Sequence, residues 1–192
     1  KAWQVSVADG TVAFGSAYHN WGITVPYMAK SNISFKQIFE YCNNEDQKTL
    51  AEKAPVHEVL LDMAVTKLPG PVEAQPYRVP NIWTGDLESE IGKSMLSCDP
   101  EAELAMMITK IWMDPHAGEV AVGRIYSGAI AMGESVYAIG AAKPERVQQV
   151  SMMVGGDRIP VPKVVAGNIA ALTGIRSAAA GVTLSHDKDF TP

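Results

Sequence analysis

"GEVAVGRIYSGAIAMGESVYAIGA", residues 118 to 141, decides what kind of fold this chain makes. Its β-rich runs, 119–130 and 134–141, break at Met132-Gly133, and Gly123 and Gly128 sit inside the first run. Runs of this length are strands, and glycines within them mark the sharp corners of a small barrel. The same rhythm continues on both sides, in 104–114, 145–154, 158–165, 168–175 and 181–186. The separators are Pro115-His116-Ala117-Gly118, Lys143-Pro144, Gly155-Gly156-Asp157 and Ala166-Gly167, with Gly174 as a further corner. Regular short strands with Gly-rich turns predict a sandwich or barrel. Pro160 and Pro162 place their strand at an edge or bulge, since proline cannot donate to a ladder.

The first third reads differently. "WQVSV" (3–7) and "TVAFGSA" (11–17) flank Ala8-Asp9-Gly10, an Asp-Gly turn that predicts a hairpin. "SFKQIFEYCNN" (34–44) is helical, with Ser34 as its N-cap. "PVHEVLLDMAVTKLPGP" (55–71) carries Val56, Val59, Leu60, Met63, Ala64 and Leu68 on one helical face, and Pro69-Gly70-Pro71 stops it. "LPGPVEAQPYRVP" (68–80) has four prolines in 13 residues. Because proline fixes φ and removes a donor, the expectation is an extended, semi-rigid linker and a domain boundary. No solenoid-length repeat interrupts this two-part plan.

Composition narrows the function classes. With 21 acidic against 16 basic residues in 192, the net charge of −5 disfavours a general nucleic-acid binder. The chain holds 7 basic and 8 acidic residues before position 80, and 9 and 13 after it, so any RNA contact is local. Two cysteines, Cys42 and Cys98, follow no metal-ligand spacing and fit a reducing cytoplasmic location. No run approaches the ~18 apolar residues of a membrane span. A first residue Lys1 with no initiator Met leads us to expect a piece excised from a longer protein.

Local chemistry names no reaction. "GDLESEIGKS" (85–94) imitates a phosphate loop, but the first glycine of that motif should stand where Leu87 does. Asp86, Glu88 and Glu90 would also repel phosphate. His19, His57, His116 and His186 share no metal-ligand spacing, and no serine lies in a nucleophile elbow. What remains is Gly15-Ser16-Ala17, small residues ending a β run. Such an end lets a ligand approach bare amides, while the alternative is an ordinary strand-to-loop glycine.

Taken in order, "VAFGSAYHNWGI" (12–23), "HEVLLDMAVTKLPGPVEAQ" (57–75), "SCDP" (97–100), residues 118–141, "RVQQV" (146–150) and "AGNIAALTG" (166–174) resemble archaeal and eukaryotic elongation factor 2. The resemblance implies a mixed fold, an α/β remnant of a P-loop GTPase domain (hairpin plus helices) followed by an all-β translation-factor barrel. Residues 1–76 would be the C-terminal part of the GTPase domain, and 77–192 the domain II barrel. The parent would be the GTP-dependent translocase that moves tRNA and mRNA on the ribosome. Gly15, Ser16 and Ala17 would be part of its guanine site, with the Ala17 amide reading the guanine oxygen.

The phosphate loop, the switch residues and the Asn-Lys-x-Asp motif are not in this sequence. Parts that hold Mg²⁺ and the β/γ-phosphates are therefore missing, and this polypeptide alone is expected to be inactive with no GTP bound. Two or three backbone contacts cannot offset the ~4 kcal/mol or more lost on association. The expected partners are small-subunit ribosomal RNA and the remaining domains of the parent chain, with no membrane. Arg124 is expected to meet either the GTPase domain or the ribosome. An uncovered half-domain should also expose Phe14, Trp21, Phe35 and Leu60 and self-associate. Two alternatives stay open: a free-standing barrel that binds RNA or the ribosome without catalysis, and a related GTPase such as a spliceosomal relative.

Overall fold

The structure is a computed structural model and describes residues 4–191. The chain divides into two compact units after Leu68. In the first, β1 (Phe14–Ser16) pairs antiparallel with β2 (Trp21–Ile23). Four helices follow: α1 (Val25–Ser31), α2 (Phe35–Asn43), α3 (Gln47–Lys53) and α4 (Val56–Lys67). Three begin on a side chain that satisfies an orphan amide: Thr24 accepts from Tyr27 N, Asp46 from Thr49 N, and Ser34 from Gln37 N in a capping box. Ile23, Tyr27, Met28, Ile33, Ile38, Leu50, Ala54 and Val59 form the core. Gly22 N donates to Ala54 O at 3.0 Å and Val56 N to Asn20 O at 3.0 Å, so the α3–α4 junction holds β2.

Two expectations for this unit need correction. Gly10 lies at φ 80° in a turn, with Gly10 N donating to Val7 O and Thr11 N to Ser6 O. Residues 4–7 are nonetheless not a strand, and residue 3 lies outside the described residues. Thr11 Oγ1 accepts from Ser6 N and donates to Ser6 O, and Asp9 accepts from Thr11 N. The loop thus satisfies itself locally, and the ladder forms between β1 and β2 instead. On α4, Val59 is buried and Met63 half-buried, but Leu60 and Leu68 of the expected apolar face are exposed. Leu61 and Val65 are exposed too, as are Phe14 and Phe35, while Trp21 is half-buried and donates to Gln47.

The second unit opens with a third correction. Residues 71–82 are a helix, α5 (Pro71–Ile82), not an extended linker. Pro71 occupies the first turn, where no amide bond is lost, and Glu73 accepts from Gly70 N. Pro76 and Pro80 lie four residues apart on the exposed side, opposite buried Ala74, Gln75 and Val79. An interior proline costs about 3 kcal/mol, so the helix exists because its buried face is held by tertiary contacts. One of those contacts comes from α6 (Glu90–Ser97), capped by Ser89 and ended by Cys98 at φ 58°.

The remainder is β-sheet, as the spacing predicts. Among the described residues it comprises β3 (Ala105–Asp114), β4 (Gly118–Ser127), β5 (Ala129–Ala131), β6 (Ser135–Ala138), β7 (Glu145–Arg146), β8 (Gln149–Val154), β9 (Asp157–Pro160), β10 (Lys163–Val165), β11 (Ile169–Thr173) and β12 (Thr183–Ser185). All pairings are antiparallel, in the order β7-β6-β12-β3-β4-β11-β8-β9, with β5 and β10 as a separate ribbon. Because β7 runs on into β8 through two residues, one segment pairs with β6 at its start and β11 at its end. Gly133 N to Val147 O (2.8 Å), Val147 N to Glu134 O (2.9 Å) and Gln148 N to Thr173 O (2.9 Å) complete the seam. The sheet therefore curls into a barrel.

Met106, Ile108, Ile125, Ile130, Val136, Val150, Leu172 and Leu184 fill its interior. A Cβ on Gly123 would lie 2.3 Å from Met107 O, so only glycine permits the tight bend of β4 against the β3 bulge at Ile108/Lys110. β9 is the edge strand, and it carries Pro160 as expected. No helix among the described residues is long and apolar enough to cross a membrane.

At the β3–β4 turn, Asp114 accepts from Ala117 N and His116 N and pairs with Arg158 at 3.5 Å. Those amide bonds, chiefly that from Ala117, hold its carboxyl below the usual 3.8. A lowered folded-state pKa stabilises the fold above the unfolded value and is lost as pH falls through the folded one. Asp114→Asn, which keeps the acceptor but not the charge, should flatten the decline in unfolding midpoint below about pH 4. An acid limb identical to that of the parent chain in a urea titration would rule Asp114 out as its source.

Candidate functional site

The structure places Gly15 and Ser16 in the last two positions of β1 and Ala17 first in the turn that follows. That turn, Ala17 to Asn20, closes with Asn20 N on Ala17 O (3.3 Å) and His19 N on Ser16 Oγ (3.3 Å). Asn20 supplies the left-handed step at φ 58°, a conformation asparagine tolerates. Gly15 faces Gly22 across the ladder. A Cβ there would sit 2.4 Å from Trp21 O and 2.9 Å from Gly22 Cα, so two strands approach at a distance only glycine allows. Gly15 and Ala17 are exposed and Ser16 is half-buried. Tyr18, 88% exposed, meets His19 edge to face with centroids 4.8 Å apart.

Chemically, this is a corner and no more. The trio offers backbone donors and one hydroxyl, and that hydroxyl already accepts from His19 N. Among the described residues, no group of three His, Cys, Asp or Glu could hold a metal ion. Gly92, the second glycine of the imitation phosphate loop, lies within α6, where its amide donates to the capping Ser89 hydroxyl at 3.1 Å. Cys98 is buried; burial pushes its thiol up, and the nearby Arg124 charge only partly opposes this. A thiol so held is a packing residue rather than a nucleophile.

Arg124 lies elsewhere, on β4 opposite Met107 of β3 and Ile169 of β11. Its guanidinium stands 5.7 Å from the Tyr126 ring centroid. It lines a pocket with Gln75, Tyr77, Arg78, Asn81 and Tyr126, five residues that sequence reasoning did not single out. Reading 68–80 as extended hid them. The signal was nonetheless present, since Gln75, Arg78 and Ile82 recur at helical spacing once the prolines are set aside.

"SCDP" acts as a joint. Cys98 ends α6, Asp99 N donates to Ser94 O at 3.0 Å, and Gly128 N donates to Asp99 O at 2.7 Å. Gly128, at φ 70°, cannot carry a side chain, because a Cβ would meet Ala102 O at 2.6 Å.

The hairpin makes one prediction. Gly15→Ala should cost about 1–3 kcal/mol by forcing β1 from β2, seen as faster amide exchange across Phe14–Ile23. Unchanged exchange there would show that the close approach is not needed.

Residues 103–187 match the family model described as elongation factor G domain 2. The chain is 58% identical over 182 residues to elongation factor 2 of Methanococcus aeolicus, covering 95% of this chain and 25% of that protein. Against elongation factor 2 of Picrophilus torridus it is 56% identical over 192 residues, covering 100% and 26%. The figures for Thermoplasma acidophilum elongation factor 2 are 53% over 192 residues, 100% and 26%. The chain thus spans about a quarter of the length of these curated relatives. With over half of its residues identical across both units, and a barrel of the matching family in the second, the chain belongs to the elongation factor 2 family.

Proposed function

We propose that this chain is the part of a GTP-dependent ribosomal translocase in which the end of the GTPase domain leads into the domain II barrel. The observation carrying this is an alignment to elongation factor 2 that runs through both units, at 56% identity over 192 residues. A free-standing barrel would have no need of the first 68 residues, with their glycine-bound hairpin and α4. In the parent protein, Gly15, Ser16 and Ala17 form one wall of the guanine site, and the Ala17 amide meets the base oxygen. GTP and Mg²⁺ are held by residues outside this sequence, which supply the phosphate chemistry when bound.

The barrel acts as a stiff body. Its ring of ladders and filled interior resist bending, so a rearrangement in the GTPase domain is passed on whole. Its partners are the other domains of the parent and the small-subunit RNA of the cytoplasmic ribosome. Exposed Phe14, Phe35, Leu60, Leu61 and Val65 on the first unit are the face that other parts of the GTPase domain cover. Uncovered, that face leads the chain to self-associate.

Exchanging the matching quarter of one of the archaeal factors compared above for this chain should leave ribosome-stimulated GTP hydrolysis and translocation near the unmodified rate. A loss of an order of magnitude in a folded chimaera would sink the translocase reading. For the chain by itself, titration calorimetry with GTP should give a dissociation constant weaker than about millimolar, since a few amides cannot offset the association cost. Micromolar binding would show that the corner is more complete than its residues indicate.

A further inference from the structure

A pocket of about 350 Å³ opens between α5 and β4. Its lining includes two arginines, Arg78 and Arg124, two tyrosines, Tyr77 and Tyr126, and Asn81, with no carboxylate. In a chain of net charge −5 this is a local reversal of sign. Among the described residues neither arginine has an ion-pair partner; the pairs use Lys30, Lys36, Lys93, Arg158 and His186.

The pocket is built rather than incidental. Gln75, 1% exposed, donates its amide to the carbonyls of Met95 and, at 2.9 Å, Tyr126, which pins α5 to the barrel. Its Oε1 is buried and has no hydrogen-bond partner. Arg78 follows Gln75 by three residues, one helical turn, so this pin sets Arg78 and Arg124 on the same pocket. The Arg124 guanidinium lies within cation–π range of the Tyr126 ring, a contact that does not use its N–H donors.

Two arginines with no counter-charge call for an anion. A carboxylate and a phosphodiester each offer two oxygens that forked guanidiniums bind. The ring of Tyr77, 52% exposed beside them, offers a stacking face that a base can use and a carboxylate cannot. We propose that this pocket binds one nucleotide unit of single-stranded RNA, its phosphate between Arg78 and Arg124 and the neighbouring base on Tyr77. The proposal gives a surface to the ribosomal RNA contact described above and rests on that reading for the origin of the RNA. The binding test below needs no ribosome, so its failure is separable from failure of the chimaera.

The test is fluorescence anisotropy of the 192-residue chain with a labelled single-stranded oligouridine of about 12 nucleotides, across about 50 to 200 mM salt. Arg78→Gln and Arg124→Gln should each weaken binding, and together they should reduce the slope of log K against log salt by about 0.7 or more. Tyr77→Ala should weaken it roughly fivefold or more with the salt slope unchanged. Unaltered affinity and slope in the double variant, or no binding by the parent chain at the lowest salt, would overturn the proposal. So would competition by polyglutamate equal to that by unlabelled RNA, which would assign the pocket to an acidic protein segment. If the double variant melts early, Arg78→Gln alone carries the test, because Arg78 is exposed on α5.

Discussion

The second unit depends on one piece of backbone, residues 145 to 154, which belongs to two neighbours at once. Its first residues pair with β6 and residues 149–152 with β11, and Val147 exchanges hydrogen bonds with the Gly133–Glu134 turn that leads into β6. Without that shared segment the order from β6 round to β11 would be an open sheet with two unpaired edges. With it, the interior becomes a closed volume that Met106, Ile125, Leu172 and Leu184 fill without contact with water. Both the arginine pocket and the α6 joint stand on β4, whose position is set by that ring.

On that ring, α5 is a helix that its own sequence opposes. Two interior prolines and an N-terminal glycine argue for extension, yet Gln75 and Val79 are almost wholly buried against the rest of the unit. The stabilisation comes from packing and from two amide hydrogen bonds across a long loop of chain, neither of which local propensity describes. The same contacts decide chemistry, because they turn residues written as a linker into one wall of a basic pocket.

In the first unit the controlling constraint is steric. Gly15 and Gly22 let β1 and β2 approach closely, and Ala54 and Asn20 hold β2 to the helical layer. A predicted partner for β1, the run before Gly10, is occupied with bonds among Ser6, Asp9 and Thr11. α4 shows the other limit. Its helical period was legible, but the period does not say which neighbours are present, and Leu60 and Val65 face outward.

What the sequence determined by itself was periodicity and punctuation: seven β runs from residue 104 on, which the structure divides into ten strands, their turns at Pro115–Gly118 and Gly155–Asp157, the Ser34 cap and the glycine at the end of β1. These are readable because alternation, capping and positive φ act over a few residues. The order of the strands in the ring, the helical state of 71–82 and the meeting of Arg78 with Arg124 were left to tertiary structure. Each of them rests on contacts between residues dozens of positions apart. Such contacts lower the free energy only after the chain has closed, so no window of sequence contains them.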